Sequence, residues 1–231
     1  MTKKEKITEE DLLFLSQTTL FQGTRPDEIQ AMLQCLKAVL KCYPKDAILL
    51  HAGETTHVMG LVLSGSVHIE NIDVWGNKSI LSLVTKGQIF AETYACVPDE
   101  PMMVSATAAS ACTVLFLDMA HLLCTCQNSC THHNQIIQNL LMVSARKNLS
   151  LSRRILHTSP KSIRARVISY LSDQAAREGS LEVTIPFNRQ QLADYLEVDR
   201  SALSNELSKM QKEGLLTVNR NTFRLPETLP I

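Results

Sequence analysis

Arg200, Ser201, Ser204, Asn205 and Ser208 fall on one side of a single predicted helix, in the stretch NRQQLADYLEVDRSALSNELSKMQKEG from Asn188 to Gly214. Arginine can give two hydrogen bonds to guanine O6 and N7, and asparagine can pair with adenine N6 and N7. Serines are small enough to let a helix approach phosphates and base edges. The chemistry on offer is therefore readout of a DNA major groove. Arg189 and Lys209 join the same candidate contacts. Any one of these side chains alone would read as ordinary solvated surface, so the argument rests on the elements that hold them together.

Those elements are legible. Asn188 can cap the helix RQQLADYL, with Gln191 placed to complete a capping box, and Asp199 can cap RSALSNELSKMQKEG, which stops at Gly214. Leu203, Leu207 and Met210 share one face of the second helix and should pack on Leu192 and Leu196 of the first, which is a helix-turn-helix. LLTVNRNTFRL then reads as two strands around a turn at residues 219–221, a wing. From Pro160 onward there are ten Lys/Arg and nine Asp/Glu, so binding must come from a few placed residues rather than bulk charge.

Upstream, Asn128 to His157 contains neither Pro nor Gly, permitting one helix of about 29 residues, on the order of 43 Å long. Ile137, Leu141, Ser144, Asn148, Leu151 and Ile155 follow a coiled-coil spacing, and Ile136, Leu140 and Val143 form an adjacent stripe. Two stripes predict two partners: the strand-rich region of the same chain and the same helix of a second chain. HTSPKS then breaks the helix at Pro160 and predicts a hinge around Ser159 and Pro160.

Residues 8–41 read as a short helical entry that starts at Thr8 and its acidic followers and continues through DEIQAMLQCLKAVL. From about 43 to 118, AILL, MGLVL, SVHIE, SILSLV and CTVLFL are separated by Gly53, Gly65, Gly76 and Gly87, which lie 12, 11 and 11 residues apart. Evenly spaced short strands with glycine turns predict an antiparallel sandwich or roll. Lys plus Arg and Asp plus Glu are 23 each in 231 residues, and apolar residues make up 45%. That is an ordinary folded composition. No run approaches the ~20 apolar residues of a membrane span, so a soluble, cytoplasmic protein with no membrane partner is expected. Seven scattered cysteines read as reduced thiols.

The order of these motifs, LSGSVHI, the strand after DVWGNKS, GQIFAE, the long helix and RQQLADYLEVDRSALSNELSKMQKEGLL, resembles the Crp/Fnr superfamily of bacterial transcription factors, typified by the cAMP receptor protein. The resemblance implies an α+β chain. A cyclic-nucleotide-binding-type β-roll sensor would occupy residues 1–127 with its helical entry, a dimerisation helix 128–157, and a winged helix-turn-helix 158–231. It also implies a homodimer on palindromic double-stranded DNA, a small-molecule effector, and RNA polymerase as a partner if the regulator activates. By motif position Arg200, Ser201, Ser204 and Asn205 are base-facing. The family's familiar set has Glu at Ser201 and Arg at Asn205, so a different operator is expected.

In cAMP-binding members the phosphate pocket lies on the segment resembling GQIFAETYACVPDEPMMVSATA, which needs a Gly-Glu pair and an Arg-Ser pair. Glu92 remains, Ala91 replaces the glycine, and Met102 and Met103 stand where the Arg and Ser are wanted. A buried phosphate without its cation keeps its desolvation cost, so a cyclic nucleotide is not the expected effector. A pocket of methionines could instead accept an apolar or aromatic molecule, or be filled by its own side chains.

Cys126, Cys130 and His133 stand at i, i+4 and i+7, with Cys124, His132 and Cys96 as further donors, a set that could hold zinc, another soft metal or an iron-sulfur cluster. The plainer reading is small thiols packing the start of a helix. Oxygen-sensing family members carry their cluster cysteines near the N-terminus, where this chain has none before Cys35. An enzyme of the cupin type would need a close His-x-His pair, which His51, His57 and His68 do not form, so no catalytic residues are expected.

Overall fold

MGLVL and CTVLFL become β3 (Val58–Ser64) and β8 (Cys112–Asp118) of the computed structural model, paired antiparallel with Leu61 opposite Leu115. Successive side chains on a strand face opposite ways. Met59, Leu61, Leu63, Leu115 and Leu117 enter one core while Val62, Val114 and Phe116 enter another. Burial on both faces explains why these strands read as continuous apolar runs rather than alternating ones. The structure describes residues 6–72, 75–76, 78–97, 99–123 and 131–226.

β1 (Val39–Tyr43) and β6 (Ile89–Phe90) join the first sheet, ordered β1-β8-β3-β6. The second sheet contains β2 (Ile48–Leu50), β4 (Ser66–Ile72), β5 (Lys78–Thr85) and β7 (Ser105–Ala108), ordered β2-β7-β4-β5. Between the sheets, Tyr43 and Phe90 each meet Phe116 edge to face with ring centroids 6.3 Å apart. At Gly65, φ is 72°, and a Cβ there would collide with the Ala111 carbonyl, so the β3–β4 turn requires glycine.

The outer face of the first sheet is covered by helices. α1 (Glu9–Ser16) starts with a Thr8–Asp11 capping box, and α2 (Pro26–Cys35) buries Ile29, Met32 and Leu33. The helical entry ends earlier than its periodicity predicts. Lys37 turns to φ 45° and the Ala38 N–H donates to the Leu33 carbonyl, a helix stop that releases Val39 and Leu40 into β1. Two short helices, α3 (Glu92–Cys96) and α4 (Met119–Leu123), flank β7 and β8 in sequence.

α5 (Thr131–Thr158) is a single helix of 28 residues. Its first half packs Ile136 and Leu140 into the core beneath the first sheet, with Ile137 and Val143 at the margin. The Asn139 side-chain amide donates to the carbonyls of Leu20 and Gln22, both at 2.9 Å, and fixes the helix against the α1–α2 connection. Of the predicted coiled-coil stripe, Ile137 belongs partly to this core, whereas Leu141, Leu151 and Ile155 are 70%, 63% and 64% exposed.

The chain forms two compact units, residues 1–145 and 146–231. The second continues from the end of α5 into α6 (Ile163–Glu178), β9 (Glu182–Thr184), α7 (Arg189–Leu196), α8 (Arg200–Lys212), β10 (Thr217–Asn219) and β11 (Thr222–Arg224). Its core joins Val167 and Leu171 of α6, Leu192 and Leu196 of α7, Leu203, Leu207 and Met210 of α8, and Phe223 of β11. Among the described residues, no helix is long and apolar enough to cross a membrane.

Candidate nucleic-acid interface

Capping sets the geometry of the helix-turn-helix. The Asn188 side chain accepts from the Gln191 N–H and the Gln191 side chain accepts from the Asn188 N–H, each at 2.9 Å. The turn between the helices places Glu197 at φ 56°, and the Asp199 carboxylate accepts from the Ala202 N–H at 2.8 Å to start α8. With Leu203, Leu207 and Met210 buried against the core, the opposite side of α8 is committed to solvent.

That side carries the predicted residues. Arg200, Ser201, Asn205, Ser208 and Lys209 are exposed and Ser204 is half-buried. The serines differ from the others in what they can offer. Ser204 and Ser208 donate to the carbonyls four residues earlier, Arg200 and Ser204, at 2.9 Å. Ser201 donates to Asp199, and with the Ala202 N–H this holds the Asp199 carboxyl below its ordinary value. The hydroxyl protons are thus occupied within the helix, and the serines present acceptor lone pairs. Outward donors come from Arg200, Asn205 and Lys209.

Arg189, the remaining candidate contact, stands at the start of α7 and not on the α8 face. It is half-buried, its guanidinium lies 5.7 Å from the Phe223 ring centroid, and Nη2 donates to the Arg220 carbonyl at 3.5 Å. Burial pushes its pKa down. It braces the wing against α7. The wing tip itself, residues 220–221 between β10 and β11, presents Arg220 at φ 55°. Arg189, Arg220, Asn188, Gln191 and Asn221 line an open concavity of about 550 Å³. Arg220 was not singled out from sequence; a cation at the turn of a two-stranded wing was the available signal.

A second residue missed from sequence is Arg166. Its Nε donates to the Pro160 carbonyl at 2.8 Å, and its Nη1 donates to the carbonyls of Leu196 and Glu197 at 2.8 and 3.0 Å. One guanidinium therefore joins the predicted hinge to the helix-turn-helix turn. Elsewhere on α6, Arg164 binds Glu206 at 2.7 Å and Glu213 at 2.6 Å and ties α6 to the middle and the C-terminal end of α8.

In the roll, Ala91 adopts φ 60° and ψ 8°, a left-handed conformation that glycine takes without cost and alanine does not. Glu92 opens α3 and is buried. Met102 is 3% exposed, but Met103 is 72% exposed, with its N–H donating to the Tyr94 hydroxyl at 3.3 Å. Only one of the two methionines therefore reaches the interior, and the expectation that both line a cavity is corrected for Met103. The Met102 N–H donates to the Glu54 carbonyl and the Met102 carbonyl accepts from the Gly53 N–H, which holds Met102 against residues 53–54, while the neighbouring Met103 side chain is in solvent. Cys126 and Cys130, and the His133 side chain, lie outside the described residues.

Comparison with known proteins assigns both halves. A family model described as the cyclic nucleotide-binding domain matches residues 40–129, and one described as the Crp-like helix-turn-helix domain matches residues 165–228. The probable transcriptional regulator flp of Lacticaseibacillus casei is 26% identical over 183 residues, covering 78% of this chain and 80% of that protein. The Thermus thermophilus Catabolite Activator Protein aligns with a TM-score of 0.50 at 21% identity, over 91% of this chain and 94% of the other. The c-di-GMP responsive global regulator CLP of Xanthomonas campestris aligns with a TM-score of 0.52 at 19% identity, over 87% and 98%. These structural likenesses concern the fold. With both domains matched in order along the chain, the protein belongs to the Crp/Fnr family of DNA-binding transcriptional regulators.

Proposed function

We propose that the chain acts as a homodimer which reads a palindromic operator through Arg200 and Asn205 of α8, and that its roll responds to a signal other than a cyclic nucleotide. One observation carries the first part. The unit formed by residues 146–231 presents both an exposed apolar seam, Leu151 and Ile155, and an exposed donor face, Arg200 and Asn205. Large aliphatic side chains at coiled-coil spacing gain by meeting a second copy, and pairing two copies duplicates the donor face for two half-sites about one DNA turn apart. Asn148 in the seam favours one register.

The second part rests on charge. No Lys or Arg occurs between Lys86 and Arg146, a span that includes the whole segment resembling the family's phosphate pocket. Met102 contributes a thioether to the interior there, and Ala91 occupies a left-handed position. These residues do not fit a cyclic phosphate, whose buried anion needs a charge-assisted partner. The alternative for the signal is a metal or an oxidant acting at Cys126, Cys130 and His133, supported by their spacing of four and three residues. It makes its own prediction: zinc or peroxide changes operator affinity in the wild type and not in the C126S C130S variant.

The test is selection of bound duplexes from a randomised DNA pool by the full chain, with sedimentation of the free protein. A twofold-symmetric enriched sequence and a dimer are expected. A single-chain species that enriches no sequence overturns the proposal.

A further inference from the structure

His157, at the end of α5, is 1% exposed. Its ring meets Tyr170 of α6 edge-on with centroids 5.4 Å apart, and tilts against Tyr195 of α7 at 5.9 Å. Nδ1 lies 2.9 Å from the Tyr195 hydroxyl. On the far side, Nε2 is 3.6 Å from Asp173 Oδ2, too far for a hydrogen bond. Both of those atoms are buried and neither has any hydrogen-bond partner. Buried polar atoms are normally paired, so two orphans facing each other across a short gap mark an arrangement with a second, closed state.

We propose that His157 is a proton-operated latch: neutral, it holds Tyr195 and with it the first helix of the helix-turn-helix; protonated, it moves onto Asp173 of α6 and releases Tyr195. The proposal rests on the DNA-binding reading above. With its single proton on Nδ1, the neutral ring donates to the Tyr195 hydroxyl and has no N–H to offer Asp173. The protonated ring has two N–H groups, and Nε2–H then faces a carboxylate. A charge-assisted pair sits at about 2.7–2.9 Å, so the ring must advance by roughly 0.8 Å. The imidazole is rigid, and Nδ1 retreats from the Tyr195 hydroxyl by a similar amount. The contact is strategically placed, three residues before Pro160, whose carbonyl Arg166 joins to the turn after Tyr195.

The groups that face the ring decide the direction of titration. Burial disfavours the imidazolium, Asp173 favours it and Arg153 of α5 disfavours it, leaving the pKa below the ordinary 6.5. Arg154 of α5 pairs with Glu197 after α7 at 3.4 Å, Arg177 and Glu178 lie beyond Tyr195 and Tyr170 on α6, and the two tyrosines are held protonated by burial. The ring is therefore neutral at neutral pH. The unfolded chain binds the proton more readily, so the contribution of His157 to stability is complete above pH 6.5 and declines as pH falls towards the folded value.

The test uses the full chain and a duplex selected by the wild type, with affinity measured at about pH 7.5 and about pH 5.5. H157Q keeps an amide for Tyr195 and cannot gain the proton; D173N removes the attracting charge. The wild type should lose about fivefold or more in affinity on acidification relative to H157Q, the low end of ordinary coupling between sites. D173N should fall between them. The other histidines are common to all three proteins and cancel in the comparison. Equal pH dependence in wild type and H157Q overturns the latch. If H157Q does not fold, Y195F decides: it should bind more weakly at neutral pH with a flattened pH profile, and an unchanged profile overturns the proposal. Failure of every protein to bind any duplex at pH 7.5 would instead remove the DNA-binding reading on which the latch depends.

Discussion

In the roll, the buried Glu70 carboxylate is bound by Lys78 Nζ at 2.9 Å and the Thr107 hydroxyl at 2.8 Å, whereas α8 leaves Arg200, Asn205 and Lys209 in solvent. The apolar core of the roll gathers Tyr43, Phe90, Phe116 and aliphatic side chains, and the segment resembling the family's phosphate pocket carries Ala91, buried Glu92 and buried Met102. Among the described residues, the scaffold of both domains is kept, while the exposed donors described above stand on α8. Scaffold and chemistry are separable: sheet packing needs volume and shape, and a binding face needs particular donors at particular places.

The largest effect should come from the seam. Placing aspartate at both Leu151 and Ile155 sets like charges against each other across a pair of helices, and separating the halves should cost on the order of 10²-fold or more in operator affinity. Sedimentation should show single chains with an unchanged circular dichroism spectrum. Next, Phe116→Ala should destabilise the roll by about 3–5 kcal/mol by opening a cavity between the sheets, while leaving the sequence preference of the folded dimer intact; calorimetry and binding measured below the transition separate the two. Arg200→Ala should cost about 1–3 kcal/mol and relax discrimination at one operator position, whereas equal weakening on all sequences would reassign Arg200 to phosphate.

A smaller effect concerns acid. Burial pushes the Glu70 carboxyl up, but the hydrogen bonds from Lys78 and Thr107 and the Lys78 charge leave it below the ordinary 4.5. Its contribution to stability is therefore present above pH 4.5 and disappears as pH falls through the lower folded value. Lys78→Met should lower the melting temperature above pH 4.5 and narrow that difference under stronger acid. Cyclic AMP should produce the smallest effect, none: a ligand present at 100 times its Kd would stabilise the fold by about 2.7 kcal/mol, so an upward melting shift would break the contrast drawn between the two halves.

How much of this was legible depends on whether the determining interaction is local in sequence. Asn188 and Gln191 are three residues apart, and Leu203, Leu207 and Met210 repeat on a helical period, so the helix-turn-helix and its exposed face follow from the sequence. The glycine turns similarly announce the roll. β7, SATA, lacks the β-branched alternation of its neighbours and is a strand only because β2 and β4 flank it. Val39 and Leu40 continue the helical spacing of α2 and leave it only through the backbone at Lys37. Arg166 and His157 were invisible for a further reason. The Leu196 and Glu197 carbonyls that Arg166 binds and the Tyr195 hydroxyl beside His157 are some 30 or more residues away, and no pattern in a single sequence links them.

The three carbonyls gathered by Arg166 have a practical consequence for building hybrid regulators. A splice at Pro160, the obvious punctuation mark, would leave the grafted part without the native segment that supplies the Pro160 carbonyl and the His157 and Arg154 contacts. A junction ahead of Arg146 would transplant the intact assembly. The exchangeable module of this protein is accordingly larger than its DNA-reading motif, and carries its own length of coupling rod.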